Sequence, residues 1–419
     1  MNILFIYISP PSDDTLYTGM NQGVGILLSI IGNMGNKVDF RIIYDELSVK
    51  EIKHFPDLIF VSSYSGMIDV AEKTIKYAKS MNPYSFVVLG GVHSTVAPEH
   101  AIEIECVDCI VIGEGEFAIR QIVENFPQRK FKSIPGLRLK GESAYEKPIL
   151  IENLDDLPYP SRQAFNQQDI LDRYGAIVGA EFIIGRGCPY SCTYCINSKL
   201  NEIYSGEHIR LKSPEYIIAE IKDFIEKFGK PMLIGFHDDI FPFKREWLDK
   251  FSYLYTKEIN IPFWANTRVG VIRKDLLKIY KTMGCKRLHI GVETANEDLR
   301  KSVLHRDMTN DEIINTFGLI KDYGIKTLAF NMFGIPYETE GTIMETIQLL
   351  RRIKPFRTII SLFTPFPGTD LYKICLKEGW EFNYKVRNFY RTEPPLSQPS
   401  ISNEILVHYF NNALKMIYG

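Results

Sequence analysis

The sequence predicts an α/β protein in two parts, a doubly wound, Rossmann-like domain followed by a partial (βα)6 barrel of TIM type and a short C-terminal extension. Three observations predict it. Short apolar runs alternate with segments of helical apolar spacing along most of the chain, the pattern of parallel strands joined by crossover helices. The alternation falls into two series separated by a stretch rich in Pro and polar residues. The length of 419 residues exceeds what one core organises.

In order along the chain, Met1 to Ile8 is an apolar strand, and MNQGVGILLSIIGNMG has helical spacing closed by glycine. KVDFRII and PDLIFVSS are the next strands; MIDVAEKTIKYAKSM is a helix with apolar residues three and four apart. FVVLGG ends a strand in two glycines, CIVIGEGE repeats that pattern, and EFAIRQIVENF closes the first domain at about residue 130. Residues 131–180 form a linker that packs rather than floats, with short extended pieces. Six further strands follow over 181–375: EFIIGRG, MLIGFHD, IPFWANT, KRLHIGVET, KTLAFNMFG and RTIISLFTPF. Amphipathic helices such as SPEYIIAEIKDFIEKFG join most of them, so chemistry is expected at the carboxyl ends of the strands. Residues 376–419 are a mixed tail whose aromatics, as in WEFNYKVRNFY, are expected to pack or to cap a cavity.

Composition narrows the functional classes. Hydrophobic residues at 45% and charged ones at 24% fit a globular protein, and a net charge of -2 gives no reason to expect nucleic acid as a partner. No apolar run approaches the ~18 residues of a membrane span, and MNILFIYISPP has no cationic stretch before its apolar one. A cytoplasmic, reduced location is therefore expected. There, seven cysteines favour metal or redox chemistry over a disulfide framework.

Three of the seven, Cys188, Cys192 and Cys195, lie in GRGCPYSCTYC, where the first strand of the second series ends. Three thiolates on one loop suit three irons of a cubane cluster and leave the fourth iron open to substrate. The alternative is a structural zinc site closed by a fourth ligand such as His208.

CPYSCTYC, with Tyr194 before its last cysteine, resembles the C-x3-C-x2-C signature of radical S-adenosylmethionine (SAM) enzymes. The resemblance implies a [4Fe-4S] cluster whose open iron chelates the amino and carboxylate groups of SAM. An electron from a flavodoxin- or ferredoxin-type donor then splits SAM into methionine and a 5'-deoxyadenosyl radical. Further matches run along the barrel. Asp238 and Asp239 in GFHDDIF are expected near the methionine end of SAM, with no role assigned. Arg268 in ANTRVG has the fork geometry to pair with the SAM carboxylate, or else is a rim arginine. Glu293 in GVET resembles the family's ribose- or amino-contacting glutamate, with an ordinary salt bridge as the alternative. Gly334 and Ile335 in FGIPYET look like the family's adenine-contacting turn, and TPFPGT is another recurrent turn.

The strand ends of the first domain carry SSYSG, GGVHST and GEGE. Together they resemble the cobalamin-binding domain of cobalamin-dependent radical SAM enzymes. Ser62, Ser63, Gly90, Gly91, His93, Ser94, Thr95, Gly113, Glu114 and Gly115 are the implied cobalamin contacts. Tyr64 stands where the S-x-L element has leucine, and the D-x-H-x-x-G element that supplies a cobalt-ligating histidine is absent from ISPPSDDTLYTGMNQGVG. Tyr17, Met20 and Asn21 lie where a lower axial group would sit. His93 is expected to hydrogen-bond backbone or corrin side arms rather than cobalt, and Cys106 and Cys109 to be structural.

The resemblance implies C-methylation of an unactivated carbon: radical hydrogen abstraction, methyl transfer from methylcobalamin, and remethylation by a second SAM. The same cofactors also support cyclisation, ring rearrangement or oxidation without methyl transfer. A methylthiotransferase would need three cluster cysteines in the first domain, which has only Cys106 and Cys109. A non-catalytic metal or cobalamin carrier would have no use for the barrel turns. Peptide, lipid and small natural-product substrates all stay open.

Overall fold

The computed structural model describes residues 1–10, 20–52, 54–174, 180–204, 209–386 and 393–419. Tyr17 and His208 lie outside the described residues.

Six strands form the first sheet: β1 (Asn2–Ile8), β2 (Lys37–Ile43), β3 (Leu58–Ser62), β4 (Phe86–Gly90), β5 (Cys109–Val111) and β6 (Leu137–Leu139). Their order is β2-β1-β3-β4-β5-β6, parallel except for β6, which pairs antiparallel with β5. The period-two geometry of a strand explains the double winding. Ile3 and Phe5 of β1 enter one core with Val24 and Ile31 of helix Gln22–Asn33 and Ile119 and Ile122 of helix Glu116–Asn125. Leu4 and Ile6 enter the opposite core with Ile68, Ala71 and Ile75 of helix Ile68–Met81. Burying each such aliphatic side chain contributes roughly 1.5–3 kcal/mol. The strand order reverses between β1 and β3, which opens a crevice at their carboxyl ends. Edge strand β6 lies within the stretch read as linker, which thus completes the first sheet.

The second sheet runs β14-β13-β12-β11-β10-β7, all parallel and sequential. Its strands are β7 (Ala180–Phe182), β10 (Ile234–Phe236), β11 (Phe263–Thr267), β12 (Cys285–Glu293), β13 (Lys326–Phe333) and β14 (Arg357–Leu362). Between β7 and β10 the short β8 (Gly185–Arg186) and β9 (Arg210–Leu211) pair antiparallel. The predicted strand EFIIGRG is therefore two pieces. Ile184 N and Gly185 N donate to the Asp238 carboxylate at 2.7–3.1 Å instead of to a neighbouring strand, and the chain leaves the sheet there.

One face of these strands packs against the outer helices, with Phe182, Phe236, Phe263, Leu288, Ile290, Ala329 and Ile360 in one core. The helices start where capping chemistry allows. Ser213 caps Pro214–Phe228, with Pro at its first position, and a Thr309–Glu312 capping box opens Asn310–Asp322. The C-terminal helix Asn403–Tyr418 packs on helix Glu340–Ile353, where Tyr409 donates to Glu340 at 2.6 Å.

Candidate active site at two adjoining cavities

The alternate residues of the barrel strands face a cavity of about 470 Å³, and the cysteine loop closes its carboxyl end. Cys188, Cys192 and Cys195 all line it. The loop is anchored at both edges: Thr193 donates through Oγ1 to Val303 O at 2.5 Å and accepts at its own carbonyl from Leu371 N at 3.1 Å. Asn197 Nδ2 approaches Cys195 Sγ at 3.7 Å, and Arg268 Nη1 approaches Cys192 Sγ at 3.5 Å. Burial pushes the Cys188 thiol up and the Cys195 thiol to about 11, so both need a cation to hold their thiolates. Among the described residues no three His, Cys, Asp or Glu side chains converge on one ion position. Three cysteines at one end of the cavity suit a cluster, in which each thiolate binds a different iron.

Beside the cysteines lies a buried charged triad. The register shift between Gly291 and Glu293 and the positive φ of Glu293 (67°) turn its side chain inward. Tyr194 donates to Glu293 Oε1 at 3.0 Å, and Arg306 donates to Tyr194 Oη at 3.1 Å and to Gly291 O at 2.6 Å. Burial raises the Glu293 carboxyl, while Arg306 and Tyr194 pull it back down. Arg268 stacks its guanidinium 3.9 Å over the Tyr190 ring. Arg306 Nε, Thr267 Oγ1 and Trp264 Nε1, all on lining residues, are buried without a hydrogen-bond partner. A polar, charged ligand such as SAM would satisfy Arg306 Nε, beside the cysteines, and Thr267 Oγ1.

The structure brings Tyr194, Asp239, Arg268 and Glu293 to this cavity with the cysteines. Asp238 instead lies under β8; burial raises its carboxyl to about 7 against the pull of the Ile184 and Gly185 amides. Gly334 and Ile335 are not among the lining residues. Ile335 is fully buried in a core with Leu371 and Cys375, and a Cβ on Gly334 would meet Leu406 of the C-terminal helix at 2.8 Å. The turn packs against the extension rather than the cavity.

A second cavity of about 480 Å³ opens at the β1/β3 switch point. Ser62, Ser63, Gly90, Gly91, Thr95, Gly113, Glu114 and Gly115 line it, as do Asn21 and the barrel residues Arg186, Asn197 and Tyr204. Gly91 has φ 93°, and a Cβ there would strike Ser63 O at 2.6 Å, so glycine lets the turns after β3 and β4 pack together at the edge of the cavity. This glycine-lined, mostly apolar crevice fits one face of a corrin. His93 and Ser94 point elsewhere. His93 is fully buried, with its ring nitrogens 2.9 Å from Ser65 Oγ and His100 Nδ1, and burial beside His100 depresses it to about 3. Ser94 donates to Leu89 O at 3.2 Å. Both are internal struts because β4 ends in a tight turn and the following residues fold back under the sheet. Cys109 is buried in a core and Cys106 packs against the other.

Asn197, His237 and Asp239 line both cavities, which therefore adjoin. Sequence reasoning missed Arg306, Tyr190, Thr267, His237 and Trp264. Tyr190 sits inside the cysteine motif and His237 directly precedes the paired aspartates, so both carried a local signal. Arg306 carried none, since only the folded loop after β12 buries its guanidinium.

Residues 182–350 match the family model described as the radical SAM superfamily, and residues 25–123 match the model described as the B12 binding domain. The chain is 26% identical to an uncharacterized methyltransferase of Pyrococcus horikoshii, over 100% of this chain and 92% of that protein. It is 25% identical to an anaerobic magnesium-protoporphyrin IX monomethyl ester cyclase of Rubrivivax gelatinosus, over 80% of this chain and 61% of that one. Its fold is similar to that of the radical SAM methyltransferase TsrM from Kitasatospora setae, solved with cobalamin and a [4Fe-4S] cluster. The TM-score is 0.68 and the identity 15%, over 90% of this chain and 75% of that chain.

Proposed function

We propose that this chain, a radical SAM enzyme with a B12 binding domain ahead of its barrel, is a cobalamin-dependent methyltransferase acting on an unactivated carbon. The observation that carries this reading is the junction of the two cavities through Asn197, His237 and Asp239. Its cofactors are a [4Fe-4S] cluster, SAM and cobalamin; together they supply a hydrogen-abstracting radical and a transferable methyl group.

The chain's own residues bind, orient and exclude water. Cys188, Cys192 and Cys195 hold the cluster. Arg268 and Arg306, close to Cys192 Sγ, offset the negative charge of the thiolates and aim donors at an anionic ligand. Tyr194 and Glu293 fix the acceptor end of the same wall. In the first domain the Ser62–Ser63, Gly90–Gly91 and Gly113–Gly115 turns cradle the corrin, with Thr95 donating to Gly91 O and accepting from Gly113 N to lock two turns together. A flavodoxin- or ferredoxin-type protein supplies the electron. The division proposed is 1–130, 131–180, 181–375 and 376–419, with β6 of the second stretch added to the first sheet as its edge strand.

The test needs no substrate. Purified anaerobically and supplied with reductant, cobalamin and methyl-deuterated SAM, the chain forms 5'-deoxyadenosine and deuteromethyl-labelled cobalamin. An iron-free protein carrying stoichiometric zinc would overturn the reading. A second reading, ring closure without methyl transfer, draws on the similarity to the cyclase; 5'-deoxyadenosine without labelled cobalamin would favour it.

A further inference from the structure

The end of the barrel cavity remote from the cysteines holds two arginines that form no ion pair with a described carboxylate. Arg287 and Glu293 lie on the same face of β12, and their six-residue separation places Arg287 roughly 20 Å from the triad. Arg287, at the amino-terminal end of β12, and Arg357, the first residue of β14, both line the cavity. Among the described residues neither forms an ion pair. Arg287 donates from Nε to His289 Nε2 at 2.8 Å and lies 6.0 Å from the Trp264 ring centroid, and among the described residues its terminal nitrogens make no hydrogen bond. Burial and the neighbouring Arg357, itself exposed, push the Arg287 guanidinium down, as a like charge close by does.

The groups around them do not cancel this charge. Glu181, another lining carboxylate, is engaged by His237 at 3.2 Å. His289 is neutral, depressed to about 3 by burial and by Arg287. Trp264, only 5% exposed, lies parallel to His289 with ring centroids 4.5 Å apart, and its Nε1–H is buried without an acceptor. Gly235 makes room for that indole, since a Cβ there would meet Trp264 Cζ2 at 2.4 Å. The result is a flat aromatic wall with one orphaned donor and two forked cations at its edge.

Resting on the reading of this cavity as a radical SAM site, we propose that the methyl acceptor is a small organic acid whose oxyanion group, carboxylate or phosphoryl, is held by Arg287, Arg357 and the Trp264 indole N–H. The rest of the molecule then extends along the barrel toward Asn197, His237 and Asp239, where the two cavities meet. A guanidinium fork binds either oxyanion in two-point fashion. A neutral acceptor would leave the partly buried Arg287 uncompensated.

Calorimetric titration of the anaerobic holoenzyme with benzoate, inorganic phosphate and neutral benzamide tests this. Saturable binding of benzoate or phosphate is expected and none of benzamide; whichever anion binds tighter assigns the carboxylate or the phosphoryl group. Arg287→Met should weaken binding by about tenfold or more, with Arg287→Lys intermediate and Arg357→Met additive. Iron content and far-UV circular dichroism report whether each variant has folded, and Trp264→Phe, which keeps an aromatic ring, should weaken binding without altering either. The proposal is overturned if neither anion binds saturably, if benzamide binds equally well, or if Arg287→Met binds as the wild type does. Failure of the wild type to form 5'-deoxyadenosine with anion binding intact would instead sink the radical SAM reading alone.

Discussion

Glu338 is a carboxyl group that the fold keeps protonated. Burial raises it to about 8, although it accepts from Gly334 N at 2.5 Å; its Oε1 has no partner. In the unfolded chain the same carboxyl ionises near its ordinary value of 4.5. Between those values the folded state holds a proton that the unfolded state has released, so stability falls as pH rises through that window and levels off above it. The loss is on the order of a few kcal/mol. Glu338→Gln keeps an acceptor for Gly334 N and removes the titration. Melting temperatures from about pH 5 to about pH 9 should decline less steeply in the variant; parallel curves would refute the assignment. The cysteines divide in the same residue-level way. Alanine at Cys188, Cys192 or Cys195 should abolish the iron-sulfur absorbance and nearly all bound iron. Cys109→Ala should keep the iron and lower only thermal stability, because that thiol is buried in a core.

At the scale of elements, glycine turns place the strand ends where they can meet a ligand. Gly113 has φ 81°, and a Cβ there would fall 2.1 Å from Tyr204 Oη, which accepts from Glu114 N at 2.9 Å. Gly141 has a similar φ of 84° but open space around it. Gly113→Ala should therefore cost about 1–3 kcal/mol beyond the roughly 1 kcal/mol of Gly141→Ala, read from denaturant titration. Equal costs would show that backbone strain, and not the close approach, decides. Strands such as KVDFRII are legible end to end because apolar residues alternate with charged ones along them and Gly35 closes the preceding helix. The strand EFIIGRG was misread as continuous because Asp238, more than fifty residues downstream, takes over its amides. Edge strand β6 was hidden because three residues carry too little periodicity to separate a strand from a packed linker.

For the whole molecule, the cysteines were legible from spacing, while the contacts that seat one domain on the other were not, since ion pairs across an interface leave no periodic trace. Glu114, read as a cobalamin contact, also straps the domains together: it meets Arg210 at 2.5 Å and Arg186 at 3.1 Å, and Arg186 meets Glu116 at 2.5 Å. Gln22 adds a two-way amide bridge, donating to Glu181 O at 3.0 Å and accepting from Ile183 N at 3.2 Å. The strap borders the first cavity, so the relative placement of the domains sets the geometry between the cofactors. Removing Arg186 leaves the Glu116 carboxylate, whose side chain is 6% exposed, without an ion-pair partner among the described residues, a loss of about 3–5 kcal/mol for a buried pair. In Arg186→Met, scanning calorimetry should show the barrel and the first domain melting in two resolved steps where the wild type melts more cooperatively. Adding Glu116→Gln removes the stranded charge, so the double variant should recover part of the lost stability. If the double variant is no more stable than the single one, the strap does not couple the domains, and the junction between the cavities must be held by packing alone.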